Sequence, residues 1–164
     1  MSEAFRILEH LTEDDQEAKS LWRHIVRELT ILGRDDILKT PRVLDLGSGR
    51  SVFSGMLSNL GIDCTSVEIK NIDGGVKEKR VQGDIAALPF MDKTFDILHA
   101  RGALDSLIYQ HDYAAVFCEA ARVLKPRGIL AVYDIQNFYE SDFKKYFIKL
   151  KINDNYLALF EKIS

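Results

Sequence analysis

The stretch Arg42-Val43-Leu44-Asp45-Leu46-Gly47-Ser48-Gly49-Arg50-Ser51 constrains this chain more than any other. It opens after Pro41 as a short apolar run, the pattern of a strand buried on both faces. Two glycines separated by one residue end it. Val52, Phe53, Met56, Leu57 and Leu60 then recur at helical spacing, with Gly61 placed to stop the helix. Strand, glycine turn and helix in that order make the first half of a βαβ unit able to hold a nucleotide. Glycine lets the backbone turn sharply and lets a ligand approach closely. The first turn of the helix adds free N–H groups at the positive end of its dipole.

A glycine pair also serves tight turns in any α/β protein, so the neighbouring residues decide the reading. A dinucleotide fingerprint requires glycine at its first, third and sixth positions. Counted from Gly47 the sixth position is Val52, and the NAD pattern fails. The pattern that fits is Asp45-x-Gly47-x-Gly49, with the acid two residues before the first glycine. Glu68 closes the next apolar run about 20 residues on, where a carboxylate takes both ribose hydroxyls. In these residues the chain resembles the class I S-adenosylmethionine-dependent methyltransferases, in particular the small ubiquinone-biosynthesis or "methyltransferase type 11" kind.

Later motifs extend the resemblance. Gly83-Asp84-Ile85 follows a short, polar third strand near Lys79-Arg80-Val81-Gln82 that reads as a sheet edge. In the family such an Asp takes the exocyclic amine of adenine and the next apolar residue packs on the ring. A carboxylate strengthens that bond, although Asp84 also suits a plain cap on the following turn. Leu88-Pro89-Phe90, a spacer and Phe95-Asp96 resemble the family's fourth-strand phrase, with the strand over Phe95 to Ala100. Arg122-Val123-Leu124-Lys125-Pro126-Arg127-Gly128 resembles its helix end and Lys-Pro turn, leading into the strand Ile129 to Tyr133. Arg127 stands where glycine is common. The resemblance thus runs from about Arg42 to Asp134 and implies S-adenosylmethionine as cofactor. Carried over residue by residue, it places Asp45, Leu46, Gly47, Ser48, Gly49, Glu68, Ile69, Asp84, Ile85 and Arg101 at the cofactor.

The fold this implies is α/β: a Rossmann-like, seven-stranded, mostly parallel sheet with helices on both faces and a C-terminal antiparallel hairpin. A length of 164 residues fits one domain over 1–164. It divides into an N-terminal helical arm (1–40), a cofactor-binding core (41–134) and a closing helix and hairpin (135–164). In the arm, Ser2 caps a short helix carrying Phe5, Leu8 and Leu11, and Thr12 with Asp15 resembles a capping box. Ala18, Leu21, Trp22, Ile25, Val26 and Leu29 then share one helical face, and Gly33 ends the run. This arm has two readings, packing against the sheet and covering the cofactor site. Adjacent glycines at Gly74 and Gly75 argue for a loop over residues 71–77 where the family carries a helix. Asp112 is placed to cap a helix with Tyr113, Val116, Phe117, Ala120 and Val123 on its core face. In the tail, after a short helix capped by Ser141, Tyr146, Ile148, Leu150 and Ile152 alternate with Phe147, Lys149 and Lys151. Asn153-Asp154-Asn155 turns the chain into a returning strand over Tyr156 to Ile163. Lys144, Lys145, Lys149 and Lys151 read as a solvated edge that deters strand pairing.

A net charge of -3 argues against a protein built chiefly to hold nucleic acid. Cys64 and Cys118 lack metal-like spacing and read as buried free thiols, and no metal site is expected. With no secretory leader and no apolar run near 18 residues, the expectation is a cytoplasmic protein without a membrane span. The expected partner is a small-molecule or protein methyl acceptor. Positions beyond the fourth and fifth strand ends face it: Arg101, Asp105, Ser106, Tyr109 and His111, then Asp134, Gln136, Asn137 and Tyr139. None forms a diagnostic set, although Asp105, Tyr109 and His111 are candidates for catalysis. His99, inside a strand, reads as core. The Asn-Pro-Pro-aromatic element of many amine methyltransferases is missing, with Ala100-Arg101-Gly102-Ala103 in its place. Against an active methyltransferase stands a non-catalytic binding or partner subunit of the same fold. Ser51 in place of a third glycine and the weak helix after Glu68 favour that second reading.

Overall fold

The computed structural model describes residues 16–50, 52–70, 79–104, 113–133, 143–152 and 157–164. Helix α1 (Gln16–Ile31) leads through a short 3-10 turn, Asp35–Leu38, to strand β1 (Arg42–Leu46). Helix α2 (Val52–Asn59), strand β2 (Asp63–Glu68), strand β3 (Arg80–Gln82) and strand β4 (Phe95–Arg101) follow. Helix α3 (Tyr113–Val123), strand β5 (Leu124–Tyr133) and the hairpin β6 (Phe147–Ile152) and β7 (Leu157–Lys162) complete the order. The seven strands form one sheet in the order β3-β2-β1-β4-β5-β7-β6. β3 to β5 run parallel, and β7 runs antiparallel to both β5 and β6. The expected α/β architecture, edge strand and closing hairpin are therefore present.

Side chains alternate across the strands, so each face of the sheet builds its own core. Val43, Ile97, Ile129 and Leu159 pack under α1 and α2 with Trp22, Ile25, Leu29, Met56 and Leu57. Leu44, Leu98, Leu130 and Phe160 pack on the other face against Val116, Phe117 and Ala120 of α3. Asp45 and His99 share the α1 face, and they are paired in register across β1 and β4. The sequential crossovers leave β1 in opposite directions, through β2 on one side and β4 on the other. The crevice at such a reversal, beyond the carboxyl ends of the strands, is where open α/β sheets take ligands.

Four local expectations need correction. β5 begins at Leu124, directly after α3, rather than at Ile129. The Lys-Pro segment lies inside the strand as an irregularity in its pairing with β4, and Arg127 there has φ 60°. In the hairpin, Phe147 is buried while Ile148 is 55% exposed, because a register shift between Lys149 and Lys151 resets which residues face inward. Lys151 is not simply solvated edge, since it is ion-paired with the buried Glu28 of α1. Both cysteines are free, but only Cys64 is buried; Cys118 is exposed. The first N-terminal helix, the capping box, the loop at 71–77, Asp112, Ser141 and the turn at 153–155 lie outside the described residues.

Candidate functional site

The end of β1 is held open by two left-handed glycines. Gly47 has φ 61° and Gly49 has φ 53°, conformations that a side chain disfavours. A Cβ on Gly47 would lie 2.5 Å from the Ala103 Cβ, so the turn after β4 presses directly on this loop. The amides of Gly47 and Ser48 donate to the Val67 carbonyl at 2.9 and 3.2 Å, which welds the loop to the end of β2. One residue on, Glu68 brings its carboxylate back over the same loop. Its Oε2 accepts from the Gly49 amide at 3.0 Å, and its Oε1 accepts from the Ile69 amide at 3.0 Å. Gly47 and Glu68 thus belong to neighbouring parallel strand ends and converge, as the spacing predicts.

Beside this cradle, on the α1 face, a cavity of about 500 Å³ opens. Its floor is Asp45 and His99, its walls include Gly47, Gly49 and Phe53, and Glu17 and Arg101 also line it. His99 and Asp45 are both almost wholly buried, 2% and 3% exposed. Nδ1 of His99 lies 2.8 Å from Oδ1 of Asp45, and the imidazole stacks on Phe53 with ring centroids 3.8 Å apart. Nε2 of the same ring is buried and has no hydrogen-bond partner among the described residues. Arg101, at the end of β4, is ion-paired with Glu17 of α1. That guanidinium holds the Glu17 carboxyl below its usual value, mainly through the hydrogen bond. Helix α1 is further tied down by the Tyr133 hydroxyl, which donates to the Leu21 carbonyl at 2.5 Å. Burial pushes the Tyr133 phenol well up, keeping it a neutral donor.

The sequence-derived positions separate into groups. Asp45, Gly47, Ser48, Gly49 and Arg101 line the cavity, and Glu68 closes over the loop from its other side. Ile69 is 51% exposed beside Glu68. Leu46 and Ile85 have their side chains in the core, at 2% and 8% exposure. Asp84 accepts the Ala86 amide at 2.8 Å, the cap on the following turn. Asp105, Ser106, Tyr109 and His111 lie outside the described residues, as do Asp134, Gln136, Asn137 and Tyr139. Sequence reasoning missed Glu17 and Phe53 as lining residues, whereas His99 is buried, as its place inside a strand predicts, and also lines the cavity. The signal for His99 was its register opposite Asp45, which needs the strand pairing to be seen.

Comparison with known proteins agrees with this geometry. A family model described as a methyltransferase domain matches residues 44–132, more than half of the 164-residue chain and the span from β1 to β5. The chain belongs to the methyltransferase domain family. S-adenosylmethionine is the cofactor of this methyltransferase domain. The residues present fit it, with a left-handed glycine cradle, a carboxylate at the adjoining strand end and a polar floor beneath the cavity. The chain is 30% identical to the sterol 4-C-methyltransferase strm-1 of Caenorhabditis elegans, over 81% of its own length and 41% of that protein. It is 29% identical to a demethylmenaquinone methyltransferase of Corynebacterium glutamicum, over 79% of its length and 56% of that protein. The chain therefore spans about half the length of these curated relatives. Its fold matches the PH0226 protein of Pyrococcus horikoshii with a TM-score of 0.58 at 23% identity, covering 99% of each chain. A TehB-like methyltransferase structure from Corynebacterium glutamicum gives 0.62 at 15% identity, over 92% of this chain and 100% of the other.

Proposed function

We propose that this methyltransferase domain transfers a methyl group from S-adenosylmethionine to a small-molecule acceptor, with predominantly apolar ring compounds of the sterol or quinol kind as the class. The observation that carries the reading is the Gly49–Glu68 junction at 3.0 Å, set beside the cavity floored by Asp45 and His99. When bound, the cofactor supplies an activated methyl group on a sulfonium. The chain's own work is then binding and alignment, which in favourable cases lowers such a barrier by roughly 7–11 kcal/mol.

In this reading the Glu68 carboxylate takes the ribose hydroxyls, and Ile69 and the Asp84 turn flank the base. The glycine loop gives its amides and the room for close approach. Arg101 exchanges Glu17 for the cofactor's carboxylate, a bidentate partner suited to guanidinium. Acceptor contacts fall to α1 and to the segments that follow β4 and β5. The acceptor class rests on the names of the two relatives, a sterol and a demethylmenaquinone methyltransferase. Among the described residues no helix is long and apolar enough to cross a membrane. Two free thiols go with a cytosolic place of action.

The test is titration calorimetry with S-adenosylhomocysteine and NAD, followed by transfer of a tritiated methyl group into sterol and hydroquinone fractions of a lipid extract. Binding of the first nucleotide alone, with label in one of the two fractions, is the expected result. NAD binding, or label only in protein, overturns the assignment.

A further inference from the structure

Arg101 lines the cavity, yet its guanidinium already holds a carboxylate of the chain itself. Glu17, in the first turn of α1, accepts from Nη2 of Arg101 and lines the same cavity. The two lie 84 residues apart in sequence, so the packing of α1 on the sheet makes this contact and no local turn does. That packing is independent of the pair. Trp22, Ile25 and Leu29 of α1 are buried, the Tyr133 hydroxyl donates to the Leu21 carbonyl, and Lys151 is ion-paired with Glu28. Helix α1 therefore keeps Glu17 within reach of Arg101 as a fixed part of the cavity wall. The Glu17 side chain is 71% exposed and that of Arg101 40%, which places the pair where the cavity meets solvent.

An ion pair this exposed shifts an equilibrium by at most about fivefold, so it is not what anchors the helix. Chemically it is a carboxylate seated on a guanidinium, the contact that a ligand carboxylate would also seek. The planar fork of arginine suits one bidentate carboxylate at a time, so the two compete. Displacement costs little, because a Glu17 side chain already mostly in water returns to it fully. We propose that Glu17 is an internal competitor, whose carboxylate occupies Arg101 until the carboxylate of the cofactor's amino-acid end displaces it. Glu17 thereby lowers the affinity of the cavity for ligands that carry this group, and for those alone. The proposal rests on the S-adenosylmethionine reading and adds to it a residue that opposes binding.

The experiment compares two ligands on the full chain by calorimetry, S-adenosylhomocysteine and its decarboxylated analogue, which keeps the nucleoside, the sulfur and the amine. Glu17→Gln removes the competing charge at an exposed position. E17Q tightens S-adenosylhomocysteine by about two- to fivefold, the range of an exposed ion pair. It gives the decarboxylated analogue no such gain. In an Arg101→Ala background the same substitution leaves S-adenosylhomocysteine unchanged, because the competitor then has nothing to occupy. Equal affinity of wild type and E17Q for S-adenosylhomocysteine overturns the proposal. So does an equal gain for both ligands, or a gain that persists without Arg101, either of which would make Glu17 a general charge effect. Should E17Q not fold, Glu17→Ala carries the same expectations. Failure of the wild-type chain to bind either nucleoside overturns the cofactor reading itself, which separates the two failures.

Discussion

Gly49 and Glu68 meet at 3.0 Å, amide to carboxylate, across the gap between the β1 loop and the end of β2. The same carboxylate accepts the Ile69 amide, so its two oxygens tie the glycine loop to the end of β2. Glu68→Ala removes the acceptor that the proposed function gives to the ribose, and a brace that shapes the loop. The expected result is a loss of roughly ten- to a hundredfold in affinity for S-adenosylhomocysteine and for 5′-methylthioadenosine alike, since both carry the ribose. Calorimetry reads this, and undiminished affinity refutes the role.

Gly47 combines a left-handed φ of 61° with an approach that leaves no room for a Cβ, 2.5 Å from that of Ala103. Strain and overlap both act on Gly47→Ala, so destabilisation of about 2–4 kcal/mol is expected in urea unfolding. Gly49→Ala meets no atom within 4 Å of its new Cβ and carries only the φ term, at 53°. It is expected to lose about 1–2 kcal/mol. Equal losses would show that the Ala103 contact yields easily.

How much of this was legible from residues alone depends on range in the chain. Asp45, Gly47, Gly49 and Glu68 announce themselves because strand, turn and acid follow within one βαβ unit, where local spacing sets the geometry. The edge position of β3 and the closing hairpin follow from polarity and turn residues. The pairing of His99 with Asp45 is not legible because the two lie 54 residues apart in sequence, and no pattern within a strand shows which side chain its neighbour presents. Phe147 was missed for a related reason. A one-residue shift in the pairing of β6 with β7 exchanges the inward and outward faces, and the alternation Tyr146, Ile148, Leu150 carries no trace of it.

Arg127 shows a departure from the family pattern with a physical content. It stands where glycine is common, and its φ of 60° is the reason glycine suits the position. Two contacts compensate: its Nε donates to Glu161 at 3.1 Å, and its carbonyl accepts from Arg34 at 2.9 Å. The carbonyl contact survives any substitution, and the exposed ion pair contributes about 0–1 kcal/mol. Arg127→Gly is therefore expected to be at least as stable as the parent, whereas Arg127→Val loses about 1–2 kcal/mol. Thermal melting of both variants checks the order; a destabilised glycine variant would locate the value of Arg127 in its side chain.

Arg122 and Glu119 lock the two most specific phrases of the sequence together. Glu119 accepts from the Leu88 amide at 2.7 Å and from Arg122 Nε at 2.7 Å, while Arg122 donates to the Leu88 and Phe90 carbonyls at 2.9 and 2.7 Å. The Arg122 hydrogen bond, foremost, holds the Glu119 carboxyl below its ordinary 4.5. A carboxyl depressed in the folded state binds fewer protons there than in the unfolded chain. Its contribution is therefore complete above about pH 4.5 and is lost as pH falls through the lower, folded value. Glu119→Gln is expected to cost about 1–2 kcal/mol at neutral pH, since the amide supports the Leu88 contact but not the charge-assisted pair. Below pH 4.5 the stabilities of variant and parent converge. Urea titrations at pH 7 and at two values below 4.5 measure this, and a gap that stays constant across them would remove the ionised Glu119 from the account.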